Sequence, residues 1–323
     1  MNNAIISPRM TRRSFIAAGA YASLASAVPG AAENIECIDT HTHFYDPSRP
    51  GGIAWPPKDA KELYRTVLPA EYRKLAAPLG IAGTVVVEAS PVVADNEWLL
   101  DLAAKEPFIY GVMGHLKPGR TGFAADLARY AAQPKFRGAR VGGWDTKLEG
   151  PDTAFGRDLR AFMERGLAID VNADAAGLRV IEALAKALPD LRIVINHCAG
   201  AKFTAQPPDE AWSDGVRRCA ANANVFMKVS ALAEQTGKKG ANVPADSAFY
   251  EPTLKVLWDA FGEDRLLFGS NWPVSAVAAP LSAVHRLATG FARSKGPAVM
   301  AKIMRTNAIK VYQLPIAAPS PAK

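Results

Sequence analysis

Short, continuously apolar runs recur along this chain at regular spacing, and they constrain its fold more than any other feature. Eight runs have the length of a β-strand: residues 36–39, 83–88, 108–113, 138–141, 167–171, 192–196, 225–229 and 265–269. Between them, apolar residues recur every three or four positions, as in amphipathic helices, at residues 97–104, 123–132, 154–164, 176–188 and 250–261. Strands that are apolar on both faces indicate a parallel sheet covered on both sides.

An even series of eight strand–helix units predicts an α/β fold of the (β/α)₈ or TIM-barrel type. A doubly wound open sheet is the alternative, but the count of eight and the absence of a glycine-rich first turn disfavour it. Residues 44–69 form a Pro- and Gly-rich segment that is too long for a simple strand-to-helix loop. We expect this segment to cap the mouth of the barrel.

The N-terminal 32 residues have the order of features found in an export signal. Arg12 and Arg13 precede a moderately apolar stretch at residues 15–28, and small residues follow it. A surface helix with an accidental arginine pair is the alternative. We predict a twin-arginine signal peptide at 1–32, a barrel at 33–315, a disordered tail at 316–323, and a periplasmic or secreted protein.

Composition narrows the classes of partner. The formal net charge is +7, and its basic residues are scattered rather than clustered, so nucleic-acid binding is not indicated. After residue 32 no apolar run reaches the roughly 20 residues that a membrane span needs. The three cysteines lack the short paired spacing of zinc ribbons, although one disulfide is left open. We therefore expect a small-molecule substrate, and the sequence leaves the oligomeric state open.

Polar side chains follow the apolar runs at the ends where barrel enzymes carry out their chemistry. Four of the five histidines lie there, and only His285 falls in a helical segment. His41 and His43 are two residues apart, so on an extended strand both point the same way and could hold one metal ion or one substrate oxygen. A histidine pair in a turn is the alternative. His197 follows the sixth run and is either functional or a structural histidine.

Charged residues also end several runs. Glu88 is expected to be a metal ligand, an acid or base, or half of an ion pair, because an unpaired buried charge is costly. Arg140 and Lys228 suit an anionic substrate group, or else pair with Glu88 and Asp170. His115 is a further candidate for substrate binding, although the residues after it would also fit a surface turn.

Several segments together resemble the amidohydrolase-related family that contains sugar-acid lactonases and pyrone-dicarboxylate lactonase. They are DTHTHF at 39–44, LRIVINH at 191–197 with Gly200, VFMKVS at 225–230, FGEDRLLFGSNWPV at 261–274, and Asn307, Ala308 and Tyr312. The resemblance covers residues 35–314 and implies a barrel that hydrolyses a lactone or related ester. It transfers the family's site histidines onto His41, His43 and His197, and it implies either one divalent metal ion or none.

The chain departs from this family at residue 271. The family's usual residue in the last strand is an aspartate that takes a proton from water, and here Asn271 replaces it. An amide cannot act as a general base at neutral pH. Glu88 or a histidine could replace the aspartate, a metal-bound water could already be ionised, or the barrel could bind without catalysing.

The leading prediction is a hydrolase of a small carboxylated lactone or related ester. A zinc or manganese ion, if used, would be held by His41, His43, Glu88 and His197, and a metal-free mechanism stays open. Arg140 and Lys228 would bind the carboxylate, and Trp272 would line the cavity. The alternatives are a metal-dependent decarboxylase and a non-catalytic binding barrel. A shared site requires the side chains of His41, His43, Glu88, His197 and Asn271 to converge, with the two cations further across the mouth.

Overall fold

The computed structural model describes residues 36–143 and 147–316. The predicted signal peptide and residues 317–323 of the predicted tail lie outside these ranges. The strands are β1 Cys37–Thr42, β2 Ile81–Val87, β3 Ile109–His115, β4 Phe136–Val141, β5 Ala168–Val171, β6 Arg192–Ile195, β7 Val225–Val229 and β8 Leu266–Phe268. The α-helices are α1 Pro69–Ala76, α2 Asp95–Lys105, α3 Phe123–Ala131, α4 Ala154–Glu164, α5 Ala175–Ala187, α6 Glu210–Ala220, α7 Glu251–Phe261, α8 Leu281–Ser294, α9 Pro297–Ala301 and α10 Asn307–Tyr312.

All eight strands are parallel and lie in chain order from β1 to β8. The segment after β8 returns to β1, where Asn271 N–H donates to the carbonyl of His41 at 2.8 Å and His43 N–H donates to the carbonyl of Trp272 at 2.9 Å. These bonds close the sheet, as the barrel prediction requires. The fold prediction is confirmed.

A buried carboxylate stabilises the closure. Asp39 Oδ1 accepts hydrogen bonds from the Ser270 N–H at 2.8 Å and from the His41 N–H at 3.0 Å, and Tyr72 donates to its Oδ2 at 2.5 Å. Asp39 is fully buried, and burial raises the pKa of its carboxyl group while these donors oppose the shift. Asp39 thus joins β1 to the segment after β8.

Alternation along the strands divides the apolar residues into two cores. One set, from Cys37 to Phe268, packs against the surrounding helices. The other set contacts α10 and comprises Ile38, Val85, Val87, Met113, Ala168, Val194, Phe226 and Leu267. The three cysteines are buried free thiols. None of the helices in the described part of the chain is long and apolar enough to cross a membrane.

Candidate active site

A cavity of about 330 Å³ opens at the carboxyl ends of the strands. The residues that line it are His43, Trp55, Ala89, Arg140, Val141, Gly143, Asn172, His197, Asn271 and Val274. They lie at or beyond the carboxyl ends of six different strands, which is where a barrel positions its chemistry. Four residues predicted for the site therefore meet at one cavity: His43, Arg140, His197 and Asn271.

His43 is held in one tautomer by the strand next to its own. Its Nδ1 lies 3.0 Å from the carbonyl oxygen of Val87, which can only accept, so Nδ1 carries the ring proton. Burial lowers the pKa of His43 to about 4, and the charge of Arg140 acts in the same direction. At neutral pH the ring is uncharged, and its Nε2 has a lone pair available for a proton.

His197 is presented by an unusual turn after β6. His197, Cys198 and Ala199 have φ angles of 54°, 49° and 52°, in the left-handed region that costs non-glycine residues about 1–2 kcal/mol each. The indole N–H of Trp212 donates to the carbonyls of Cys198 and Ala199, and Gln235 donates to that of His197. Strained backbone held in this way is often found at functional sites.

The imidazole of His197 is also kept neutral. Its Nδ1 lies 2.9 Å from Ser230 Oγ, and the same oxygen accepts the His197 backbone N–H at 3.1 Å. Burial, together with the charges of Lys228 and Arg140, lowers the pKa of His197 well below its ordinary value. An uncharged imidazole therefore faces the cavity from this side as well.

His41 lies beneath the cavity rather than on its wall. Its ring is fully buried, 5.0 Å from the His43 ring and 4.3 Å from the His197 ring between centroids. Lys228 Nζ lies 3.2 Å from His41 Nδ1 and 2.5 Å from Asp170 Oδ2. The ammonium can only donate, so the proton of the neutral His41 ring is on Nε2. Burial, with the charge of Lys228, lowers the pKa of His41 well below its ordinary value.

The two cations predicted to bind a carboxylate are both in ion pairs. Lys228 and Asp170 are completely buried, so Lys228 does not stand across the mouth as we expected. Arg140 Nε lies 2.6 Å from Glu88 Oε1, and its Nη2 donates to the Glu88 carbonyl at 3.0 Å. The structure therefore shows the ion pairs with Glu88 and Asp170 that the sequence offered as the alternative role of Arg140 and Lys228.

The comparisons with known proteins agree with this architecture. The amidohydrolase family matches residues 38–314, most of the chain. This chain belongs to the amidohydrolase family. An L-fucono-1,5-lactonase of Burkholderia ambifaria is 34% identical over 243 residues, covering 75% of this chain and 81% of that protein. This amidohydrolase is thus a hydrolase, as the sequence predicts.

Solved structures show the same fold. A crystal structure of a Burkholderia multivorans amidohydrolase with bound HEPES aligns with a TM-score of 0.75 at 26% identity, covering 86% of this chain and 99% of that one. A second crystal structure described as a B. multivorans amidohydrolase, with bound zinc, gives a TM-score of 0.74 with the same identity and coverage. These neighbours support the barrel.

The donors predicted for a divalent ion in this amidohydrolase are not arranged as a metal site. Both carboxylate oxygens of Glu88 already accept hydrogen bonds, from Arg140 and from the Ser90 N–H at 2.7 Å. His41 offers a protonated Nε2, whereas a metal ligand needs a lone pair. Within residues 36–143 and 147–316, no group of three His, Cys, Asp or Glu side chains could hold a metal ion. The predicted donor set does not fit a resident ion.

Two further predicted substrate-binding residues lie behind the cavity wall. Trp272 is 1% exposed and packs on Tyr72, with 5.0 Å between ring centroids. His115 is also 1% exposed and is not among the residues that line the cavity. Trp55, from the long segment after β1, lies on the wall, 5.9 Å from the His43 ring.

Sequence reasoning missed Glu234, which contacts Asn271 from the loop after β7. Asn271 Nδ2 donates to Glu234 Oε1 at 2.9 Å, and Asn271 Oδ1 lies 3.3 Å from His43 Nε2. Asn271 is thus next to His43, as expected for this position. Glu234 lies five residues beyond the end of β7, and no apolar pattern distinguishes it from other loop carboxylates. Its role depends on the path of the loop.

Proposed function

We propose that this amidohydrolase hydrolyses a small, uncharged, hydroxylated lactone, using imidazole acid–base chemistry and no divalent ion. The observation that carries the proposal is that two imidazoles held neutral, His43 and His197, line one cavity at the strand ends. A neutral imidazole can take a proton from water, and a second can donate one. The lactonase relative supports the choice of ester.

The charges in the cavity favour a neutral substrate. Our sequence-based expectation of a carboxylated lactone depended on Arg140 and Lys228, whose charges are offset by Glu88 and Asp170. Among the described residues, the wall also offers the amides of Asn172 and Asn271 and the indole of Trp55. Amides donate and accept hydrogen bonds with hydroxyl groups, and an aromatic face packs on a sugar-like ring.

In the proposed reaction, His43 acts as the base. A water molecule attacks the lactone carbonyl carbon and gives one proton to His43 Nε2. The ring C–O bond then breaks, and the proton passes to the departing ring oxygen, so that one water and one lactone give one hydroxy acid. His43 is suited to this role because its Nδ1 proton is already donated to Val87, so Nε2 keeps a lone pair that can take a proton.

His197 stabilises the developing negative charge in this scheme. If the hydroxyl proton of Ser230 is donated to His197 Nδ1, as the accepted backbone N–H suggests, the ring proton is on Nε2. That N–H can donate to the carbonyl oxygen of the substrate. Donors aimed at such an oxyanion each contribute about 10²–10³ in rate. His41 contacts both rings from below and has a positioning role.

A panel assay tests the proposal. Purified protein is incubated with neutral aldonolactones, L-fucono-1,5-lactone among them, and with lactones that carry a carboxylate, while acid release is followed by pH indicator. We expect hydrolysis of neutral lactones, with turnover unchanged by a chelator. His43→Asn should lower kcat by about 10²–10⁴, whereas His285→Gln, on α8, should not.

Three outcomes would overturn the proposal. Release of carbon dioxide from aromatic acids would identify a decarboxylase. Saturable binding of a lactone with no turnover would identify a binding barrel. Loss of turnover on chelation, restored by zinc or manganese, would show that the imidazoles serve a metal ion instead.

A further inference from the structure

The amide of Asn271 lies between a carboxylate and an imidazole. On one side its Nδ2 donates to Glu234 Oε1 at 2.9 Å, and on the other its Oδ1 is 3.3 Å from His43 Nε2. An amide has one donor end and one acceptor end, so whichever group holds one end decides what the other end presents. An ionised Glu234 can only accept, and therefore fixes Oδ1 toward His43.

That orientation suits a base during catalysis. His43 Nδ1 donates to Val87, so in the resting ring the Nε2 lone pair faces the Asn271 oxygen, and two acceptors do not attract. Once Nε2 has taken a proton, the same pair becomes an N–H···O hydrogen bond. The contact between Asn271 and His43 is therefore favourable only when the His43 ring is protonated, as it becomes during the reaction. Interactions that are stronger in the transition state than in the ground state accelerate a reaction.

We propose that Glu234 is a positioning residue for hydrolysis, which acts through the Asn271 amide to stabilise the proton that His43 takes from water. The proposal rests on the proposed function and identifies the carboxylate that takes the place of the family's missing aspartate. No bond changes at Glu234 or Asn271 themselves. The proton moves from water to His43 Nε2 and then to the ring oxygen of the substrate.

The surroundings of Glu234 point to a role beyond structure. Its Oε2 is buried without a hydrogen-bond partner among the described residues, and no cation there pairs with it. The titratable groups that sense its charge are the Cys198 thiol and the Tyr250 hydroxyl. Burial raises the pKa of each to about 12, so both are uncharged. A buried carboxylate that no cation pairs with is costly, and such groups are often found at functional sites.

Protonation of Glu234 would reverse the amide. A protonated carboxyl group donates to Asn271 Oδ1, so Nδ2 turns to His43 and occupies its Nε2 lone pair. Burial raises the pKa of Glu234 to about 6. Activity is therefore expected to fall as the pH falls through about 6, although His43 itself stays neutral down to about pH 4.

The first test is Glu234→Gln, with exposed Glu251→Gln as the matched control. The introduced side-chain amide can accept from or donate to Asn271 and no longer fixes its orientation. We expect kcat on the neutral lactone to fall about 10- to 100-fold, the range for one hydrogen bond to a charged group. KM should change little, and the acidic limb near pH 6 should disappear. Glu251→Gln should behave like the wild type.

The second test exchanges the two groups. Asn271→Asp alone places two carboxylates in contact, which then share a proton because one of their two pKa values is strongly raised. The double variant Asn271→Asp with Glu234→Gln restores one carboxylate and one amide in the opposite order. The introduced glutamine then donates to the introduced aspartate, whose other oxygen accepts from protonated His43. We expect the kcat of the double variant to exceed that of Glu234→Gln alone.

Distinct results separate this inference from the proposed function. A wild-type protein inactive on every lactone would refute the proposed function itself. An active wild type with Glu234→Gln equal to it in kcat and pH profile would overturn the role of Glu234. A slow Glu234→Gln that the exchange fails to improve would show that Glu234 only maintains the loop.

Discussion

At the scale of single residues, Lys228 is a charged side chain that the barrel buries completely. It is 0% exposed, as is its partner Asp170, and Tyr312 from α10 donates to the second oxygen of that carboxylate at 2.8 Å. Burial lowers the pKa of Lys228, and the charge and hydrogen bond of Asp170 oppose the shift. A buried pair of this kind adds little net stability, but removing one partner leaves the other charge without compensation.

Lys228→Met is therefore expected to destabilise the protein by about 3–5 kcal/mol. The double variant Lys228→Met with Asp170→Asn, which leaves no charge behind, should regain much of this loss. Urea unfolding followed by tryptophan fluorescence measures both. A loss below about 1 kcal/mol in the single variant, near the value for an exposed pair, would contradict the account.

At the scale of elements, the strands were predictable and the turns after them were not. Continuous apolar runs reflect burial on both faces, and they located all eight strands. The predicted bounds of β7 match the structure, and those of the other strands differ at one or both ends. The turn from His197 to Gly200 gave no signal, since Cys198 and Ala199 are not residue types that favour positive φ. Tertiary contacts from Trp212 and Gln235 impose it.

The cost of that turn can be measured at Ala199, which has a φ of 52°. In Ala199→Gly the left-handed strain of about 1–2 kcal/mol is removed, while the greater freedom of glycine in the unfolded chain costs about 0.5–1 kcal/mol. We expect a neutral change or a gain of up to about 1.5 kcal/mol. Ala183→Gly, within α5, should instead lose about 1 kcal/mol. Equal losses in the two variants by denaturant unfolding would show that the turn is unstrained.

At the scale of the whole molecule, buried histidines dominate the response to acid. Burial lowers the pKa of four of them below the ordinary value, namely His41, His43, His197 and His285. The unfolded chain takes up these protons below about pH 6.5 and the folded chain does not. Stability from this source is complete above pH 6.5 and is lost as the pH falls toward the folded pKa values. Glu234, with its raised pKa, acts weakly in the opposite direction.

We accordingly expect Tm to fall steeply between pH 6.5 and 4. Burial lowers the pKa of His285 to about 4. His285→Gln removes one of the groups that take up a proton when the chain unfolds. The slope of unfolding free energy against pH should therefore decrease by up to about 1.4 kcal/mol per pH unit. Scanning calorimetry across this range compares the two proteins. Parallel curves for wild type and variant would rule out a contribution from His285.

Across the whole molecule, the sequence predicted which site residues meet but not which charges pair with each other. Residue types at strand ends predicted that His43, His197 and Asn271 would meet, because barrel closure brings strands 1, 6 and 8 to one mouth. They could not show which charges pair internally. Arg140 and Glu88 are 52 positions apart, and Lys228 and Asp170 are 58 apart. Each pair joins alternate strands, from β2 to β4 and from β5 to β7, so the register across the strand between them decides that the side chains meet.

The seam between β1 and the segment after β8 has a consequence for synthesis on the ribosome. Asp39 and the Ser270 N–H that it accepts are 231 positions apart. At about 5–20 residues per second, roughly 10–50 s separate the translation of these two partners. During that interval one edge of the nascent sheet has no partner, and such an edge can pair with another chain. Strand β1 is thus the first to be made and the last to gain both of its partners.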